Sequence, residues 1–323
     1  MPAPTLDGRL LCSSGCAYNI KGNGILAIDP TDLYYAGAGF VSPPTTFVGG
    51  DELIDACLIG KTIDGVVVAF RGTMPLDLDS APTVLDWLDD FNADPISSPG
   101  FPGKVHRGFT QSLGFLWDRL LAEVKRQRVG GLASQPVYVT GHSKGGAMAS
   151  LAAWKLKDGN KIQTQVVTIA SARAGDMAFA NAYEAKVTHT RYEYADDIVP
   201  HLPPEEGGFL DTLAALPVIG ANFKKLPRYN YEPVGVLRYI DANGRFVETT
   251  PLLALERTVA LALQIIRLHF HQIAADHSIN CGSGYMTAIC PSGVCKPSLA
   301  SLSETLLARA ARKPLARSRA PKR

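Results

Sequence analysis

From residue 53 onward the apolar positions switch repeatedly between a period of two and a period near 3.6, the signature of strands alternating with helices. "LIDACLIGKTIDGVVVAFRGT" predicts two strands, about 53–59 and 65–70, joined by a polar turn with glycine at each end. Phe109, Leu113, Leu116 and Leu120 then recur at the spacing of a helix buried on one face. A strand at 137–140 leads into a helix reaching about Lys157, "TQVVTIA" predicts the next strand, "GDMAFANAYEAK" a helix and "THTRYEYA" a further strand. Such alternation predicts an α/β fold, a largely parallel sheet covered on both faces. Residues 1–50, rich in Gly, Pro, Tyr and Ala, read as a short helix plus irregular wrapping around a domain spanning 51–300, with a flexible basic tail at 301–323. The longest greasy stretch, 251–275, is interrupted by Glu256, Arg257, Gln264, Arg267 and two histidines, so it predicts an amphipathic helix rather than a membrane span.

Composition adjusts this picture little. With 323 residues and 46% hydrophobic content, the chain can build a sizeable core. Its net charge of +2 hides an asymmetry: seven basic side chains against Glu304 in the last twenty residues leave the rest at −4. A mildly acidic body with a basic tail does not predict nucleic-acid binding, which needs Lys and Arg clustered within the fold. The start, "MPAPTLDGRLLCSSGC", lacks the basic opening and unbroken apolar run of a secretory signal, and the expected location is the cytoplasm. Six cysteines are too few for a disulfide scaffold, and none has histidines at zinc-site spacing. Pairing of Cys281 with Cys290 stays open.

Chemistry concentrates in "VYVTGHSKGGAMAS" (137–150). A serine hydroxyl attacks a carbonyl only when a base takes its proton and nearby donors stabilise the oxyanion. Gly141 and Gly145 around Ser143, between a strand and a helix, allow the cramped turn that lifts such a hydroxyl above a sheet. In that arrangement an acid and a histidine follow the serine along the chain. Asp196 and Asp197 stand directly after a strand in "YEYADDIVPHLPP". Of the later histidines, His189 falls inside a strand, His269 and His271 fall in the long helix, His201 follows the aspartates, and His277 stands just beyond the helix on an expected loop.

These segments, with "VVVAFRGT" (66–73), "DWLDDF" (86–91), "KVHRGF" (104–109), "VTIASARAGDMAFANAY" (167–183), "YEPVGVLRYIDANG" (231–244) and "DHSI" (276–279), resemble the fungal-type class 3 lipase family over about residues 54–287. The resemblance implies an α/β-hydrolase fold with an enlarged lid, and it implies Ser143 as nucleophile, Asp197 as acid and His277 as base. It also implies an oxyanion hole from the amides of Thr73 and Lys144, with Asp197 preferred over Asp196 because it directly precedes Ile-Val-Pro. The implied activity is hydrolysis of carboxylic esters of lipids, acylglycerols first, through an acyl-enzyme that needs neither metal nor organic cofactor. The implied partner is a lipid or other ester substrate at a lipid–water interface. Phospholipase A1, feruloyl-type esterase and polyester hydrolase chemistry on the same triad remain alternatives, as does a non-enzymatic interaction platform.

Several positions depart from the family pattern or have plain readings. Lys144 stands where an apolar or uncharged residue is usual, and a solvated or salt-bridged ammonium is the simpler expectation. The stretch 74–86 is long for a compact lid, and the six aspartates between Asp77 and Asp94 read as a solvated face rather than a calcium site. Arg71, Trp87, His106, Arg173 and His142 are expected to be packed scaffold residues.

Overall fold

The computed structural model describes residues 5–27, 33–50, 53–73, 94–205, 207–215, 220, 224, 228–267 and 269–290. The acidic stretch at 74–93, with Trp87, and the basic tail at 301–323 lie outside the described residues.

The strands are β1 (Thr45–Gly49), β2 (Asp55–Lys61), β3 (Val66–Phe70), β4 (Pro95–Ser97), β5 (Lys104–His106), β6 (Val137–His142), β7 (Thr164–Ile169), β8 (Gly175–Asp176), β9 (Thr188–Tyr194), β10 (Tyr231–Glu232), β11 (Val236–Ile240) and β12 (Phe246–Val247). Eight of them form the central sheet in the order β1-β2-β3-β6-β7-β9-β11-β12. The run from β3 through β6, β7 and β9 to β11 is parallel, and β1, β2 and β12 add antiparallel edges. A small second sheet, β10-β8-β5-β4, holds the four remaining short strands.

Period-two alternation divides the core into two layers. Val66, Val68, Phe70, Val137 and Val139 face one side, where they meet Leu113, Leu116 and Leu120 of helix Arg107–Gln127 and Met148 and Leu151 of helix Lys144–Trp154. Val67, Tyr138, Val167 and Ile169 face the other side, under Leu10 and Leu11 of helix Leu6–Ala17 and Met286 and Ile289 of helix Gly284–Ile289. Both faces of the inner strands are therefore dry, which explains the continuous apolar run "VVVAF".

Three local expectations change. The first fifty residues supply a twelve-residue helix, largely buried, and edge strand β1 as well as wrapping. Helix Lys144–Trp154 gives way to a π-helical turn at Lys155–Gly159. The single helix expected over 251–275 is two, Pro251–Ile266 and Phe270–His277. No glycine or proline marks that break; it is fixed by bonds from Gln264 to the His269 ring (2.8 Å) and to Asp196 (2.7 Å), partners that periodicity cannot show. Cys281, whose state the sequence leaves open, is disulfide-bonded.

Candidate active site

The site is assembled at the carboxyl ends of the parallel strands, the usual position for ligand sites in such sheets. Ser143 directly follows β6 and caps helix Lys144–Trp154, with φ 60° and ψ −133°. That conformation is sparsely populated for a residue with a Cβ, and packing around it enforces it. A Cβ at Gly141 would lie 2.1 Å from the Gly145 carbonyl oxygen, and one at Gly145 would lie 2.4 Å from the Phe70 carbonyl oxygen. Glycine at both places lets the strand end, the turn and the helix start approach each other. The Ser143 amide donates to the Ile169 carbonyl (3.1 Å), tying the turn to β7.

Register explains where Thr73 goes. Phe70 pairs with Gly141, so the loop after β3 runs alongside the serine turn. Gly72 is close enough that a Cβ there would sit 3.0 Å from the Ser143 Cβ. Thr73 is exposed in this segment, and the Lys144 amide belongs to the first helical turn, where N–H groups have no intrahelical acceptor. The Lys144 ammonium turns away to Asp55 (2.7 Å), a salt bridge, one of the two placements the sequence leaves open.

Asp197 and His277 meet across eighty residues of chain. His277 is the last residue of helix Phe270–His277 instead of a loop residue, and its Nδ1 lies 3.0 and 3.1 Å from the two Asp197 oxygens. Asp197 is buried and accepts further bonds from the Val199 amide (3.0 Å) and the Tyr285 hydroxyl (2.7 Å). Burial and the Asp197 charge hold the Tyr285 phenol protonated, well above its ordinary range, so it can only donate to the carboxylate. It accepts from the Tyr194 amide in turn (2.9 Å). Asp196 does not touch His277; it takes the Gln264 side chain, while its amide donates to Asp276 (3.2 Å).

The remaining candidates occupy structural positions. His189 is buried between Thr168 (2.8 Å) and Tyr183 (3.2 Å), and burial lowers its pKa to about 3. His201 ends the short turn after Asp197, also lowered to about 3, chiefly by burial and then by Arg257. His269 caps the second helix and His271 lies within it. Arg71 donates to the carbonyls of Ile20, Leu53 and Ile54. Arg173 bonds to the carbonyls of Pro200 and Tyr231 and pairs with Glu205. His106 caps helix Arg107–Gln127 through the Phe109 amide. His142 is buried as expected, but its Nε2 lies 2.8 Å from the His277 carbonyl oxygen, a contact the sequence gives no sign of. Tyr285 went equally unread, because nothing in "GSGY" marks its hydroxyl for a carboxylate.

Among the described residues, no three His, Cys, Asp or Glu side chains form a metal-binding group, and no helix is long and apolar enough to cross a membrane.

A strained serine between glycines, a carboxylate–imidazole pair and a flanking loop form the parts list of a serine hydrolase. The family described as lipase (class 3) matches residues 67–207. The chain is 36% identical over 157 residues to a lipase of Rhizomucor miehei, covering 47% of this chain and 41% of that one. It is 33% identical over 162 residues to a secreted mono- and diacylglycerol lipase of Fusarium solani, covering 46% and 42%. The chain thus spans about two-fifths of the length of these curated relatives. Among solved structures, it superposes with a TM-score of 0.51 on a triacylglycerol lipase whose catalytic centre is a serine protease triad, at 25% identity over 72% of this chain and 78% of that one. The mostly parallel sheet with helices on both faces is an α/β-hydrolase fold.

Proposed function

We propose that this protein is a class 3 lipase that hydrolyses carboxylic esters of lipids, acylglycerols first, through an acyl-enzyme on Ser143. In this reading His277 takes the Ser143 proton as the hydroxyl oxygen attacks the ester carbonyl, and Asp197 stabilises the imidazolium. The oxyanion rests on the amides of Thr73 and Lys144. His277 then gives its proton to the departing alcohol, and water repeats the sequence on the acyl group. The observation that carries the reading is the two-oxygen contact of buried Asp197 with His277, at the same end of the sheet as the strained serine turn.

Substrate class follows from similarity and from one surface. The relatives named above are a lipase, a mono- and diacylglycerol lipase and a triacylglycerol lipase. On helix Pro251–Ile266, Leu252, Leu255, Val259, Leu263 and Ile266 are all exposed at helical spacing. The same helix reaches back through Gln264 to Asp196, next to the acid. An apolar stripe of this kind suits contact with a lipid–water interface.

The test combines labelling with acid release. A fluorophosphonate should label the protein at Ser143, and Ser143→Ala should abolish labelling and lower triglyceride hydrolysis by about 10⁴-fold or more. Folded protein that neither labels nor releases acid from short- or long-chain triglycerides would show the fold serving as an interaction platform instead. Release confined to phospholipid, feruloyl or polyester substrates would reassign the ester and keep the triad.

A further inference from the structure

Beneath the serine turn, one chain of hydrogen bonds joins three elements that carry different parts of the site. The Gly72 amide donates to the hydroxyl oxygen of Tyr18, the residue that ends helix Leu6–Ala17. Tyr18 Oη lies 2.7 Å from His142 Nδ1, and His142 Nε2 lies 2.8 Å from the backbone carbonyl oxygen of His277. The imidazoles of His142 and His277 are adjacent, with centroids 4.5 Å apart.

Only one arrangement of protons fits these contacts. A carbonyl oxygen can only accept, so His142 Nε2 carries a hydrogen. His142 is buried, and burial together with the neighbouring His277 keeps it neutral, its pKa well below the ordinary value. A neutral imidazole has one N–H, so Nδ1 is an acceptor and Tyr18 must donate to it. Tyr18 in turn stays protonated, because burial raises its pKa. Every polar atom of both side chains is committed, and His142 has no lone pair left to serve as a second base.

We infer that Tyr18 and His142 are positioning residues for the reaction, clamping the loop that carries Thr73 to the backbone of His277 from beneath Ser143. This rests on the hydrolase reading above. The clamp ends on the main chain of the base itself, and its other end sits one residue before the oxyanion amide. Loosening it shifts donor and base relative to the Ser143 hydroxyl. Misplacement by about 1 Å is enough to lower turnover roughly 100-fold while substrate contacts persist.

The experiment measures kcat and KM per active site, counted by phosphonate titration so that unfolded protein drops out. Tyr18→Phe removes the donor to Nδ1 and frees the imidazole to take the other tautomer, which turns a lone pair toward the His277 carbonyl. We expect kcat to fall by about 10- to 100-fold with KM changed less than about twofold. Two replacements of His142 separate the ends of the clamp. Glutamine can present an amide N–H near the place of Nε2 and keep the bond to His277; asparagine is shorter and reaches only Tyr18. His142→Gln should therefore retain several times the kcat of His142→Asn. Wild-type kcat per titrated serine in both Tyr18→Phe and His142→Asn would overturn the inference, as would a loss that appears only in KM. No labelling of Ser143 in the unmodified protein would overturn the hydrolase reading and the inference together; normal labelling with unchanged variants overturns the inference alone.

Discussion

The two halves of the site are built by different means. Ser143 is held by sterics: strand, turn and helix crowd so closely that glycine is needed at 141 and 145, and the serine side chain caps nothing. Asp197 and His277 are held by polar side chains reaching across the fold, with Tyr285 and the Val199 amide on the acid and Gln264 and Asp276 bracing its neighbour. A steric device is local and tolerates no added atom. A hydrogen-bonded device is long-range and fails by degrees as partners are removed.

Replacements can separate these two behaviours. The largest effect is expected from Asp197→Asn, which keeps the shape of the acid but withdraws its charge from His277. Turnover should drop about 10⁴-fold with the thermal midpoint little changed, measured as ester hydrolysis beside a melting curve. Gly145→Ala should do the reverse. Its Cβ would meet backbone at Phe70 and Arg71, costing about 3 kcal/mol or more of stability, so the urea midpoint falls first and activity is lost with the fold.

Acid should weaken the acid–base half in a graded way. His189 lies on β9, which leads to Asp197, and His201 ends the turn after it; both are lowered to about 3, by burial first. In the unfolded chain each takes a proton near the ordinary value of 6.5, whereas in the fold each stays neutral until about 3. Stability contributed by excluding those protons is intact above pH 6.5 and is lost progressively as pH falls toward 3. Urea midpoints across that window should decline, less steeply in His201→Gln. A flat profile would mean that neither site excludes protons.

The smallest effect on turnover is expected at Lys144. Its side chain pairs with buried Asp55 and leaves only its amide to the reaction. Lys144→Met should change hydrolysis per titrated site by less than about threefold, while stripping Asp55 of its partner lowers stability by about 3 kcal/mol. A loss of turnover near 100-fold would put the ammonium itself in the chemistry.

The same contrast sets how much could be read from the sequence. The serine turn was legible because its requirements sit within nine residues, from the strand "VYVT" to Gly145. The inner strands were legible because burial on both faces leaves unbroken apolar runs. Asp197 followed from its place after β9, and the choice over Asp196 from family resemblance. His277 stands out by position, although it ends a second helix where the sequence predicts a loop. Tyr285, Tyr18 and the His142 contact with His277 were invisible, since each partner lies 88 to 135 residues away and no local period encodes it. The small sheet escaped for another reason: strands of two or three residues carry too few positions to show alternation.

Chain order also has a consequence for synthesis. Tyr18 is made early, the serine turn midway, and His277 and Tyr285 near the end of the described chain. Strand β3 waits past β4 and β5 for its neighbour β6, so the sheet closes late as well. A nascent chain still short of residue 277 already carries the bent serine but has nothing to withdraw its proton. On the proposed reading, competence to cut esters arrives with translation of the final segment, and fragments ending earlier are silent.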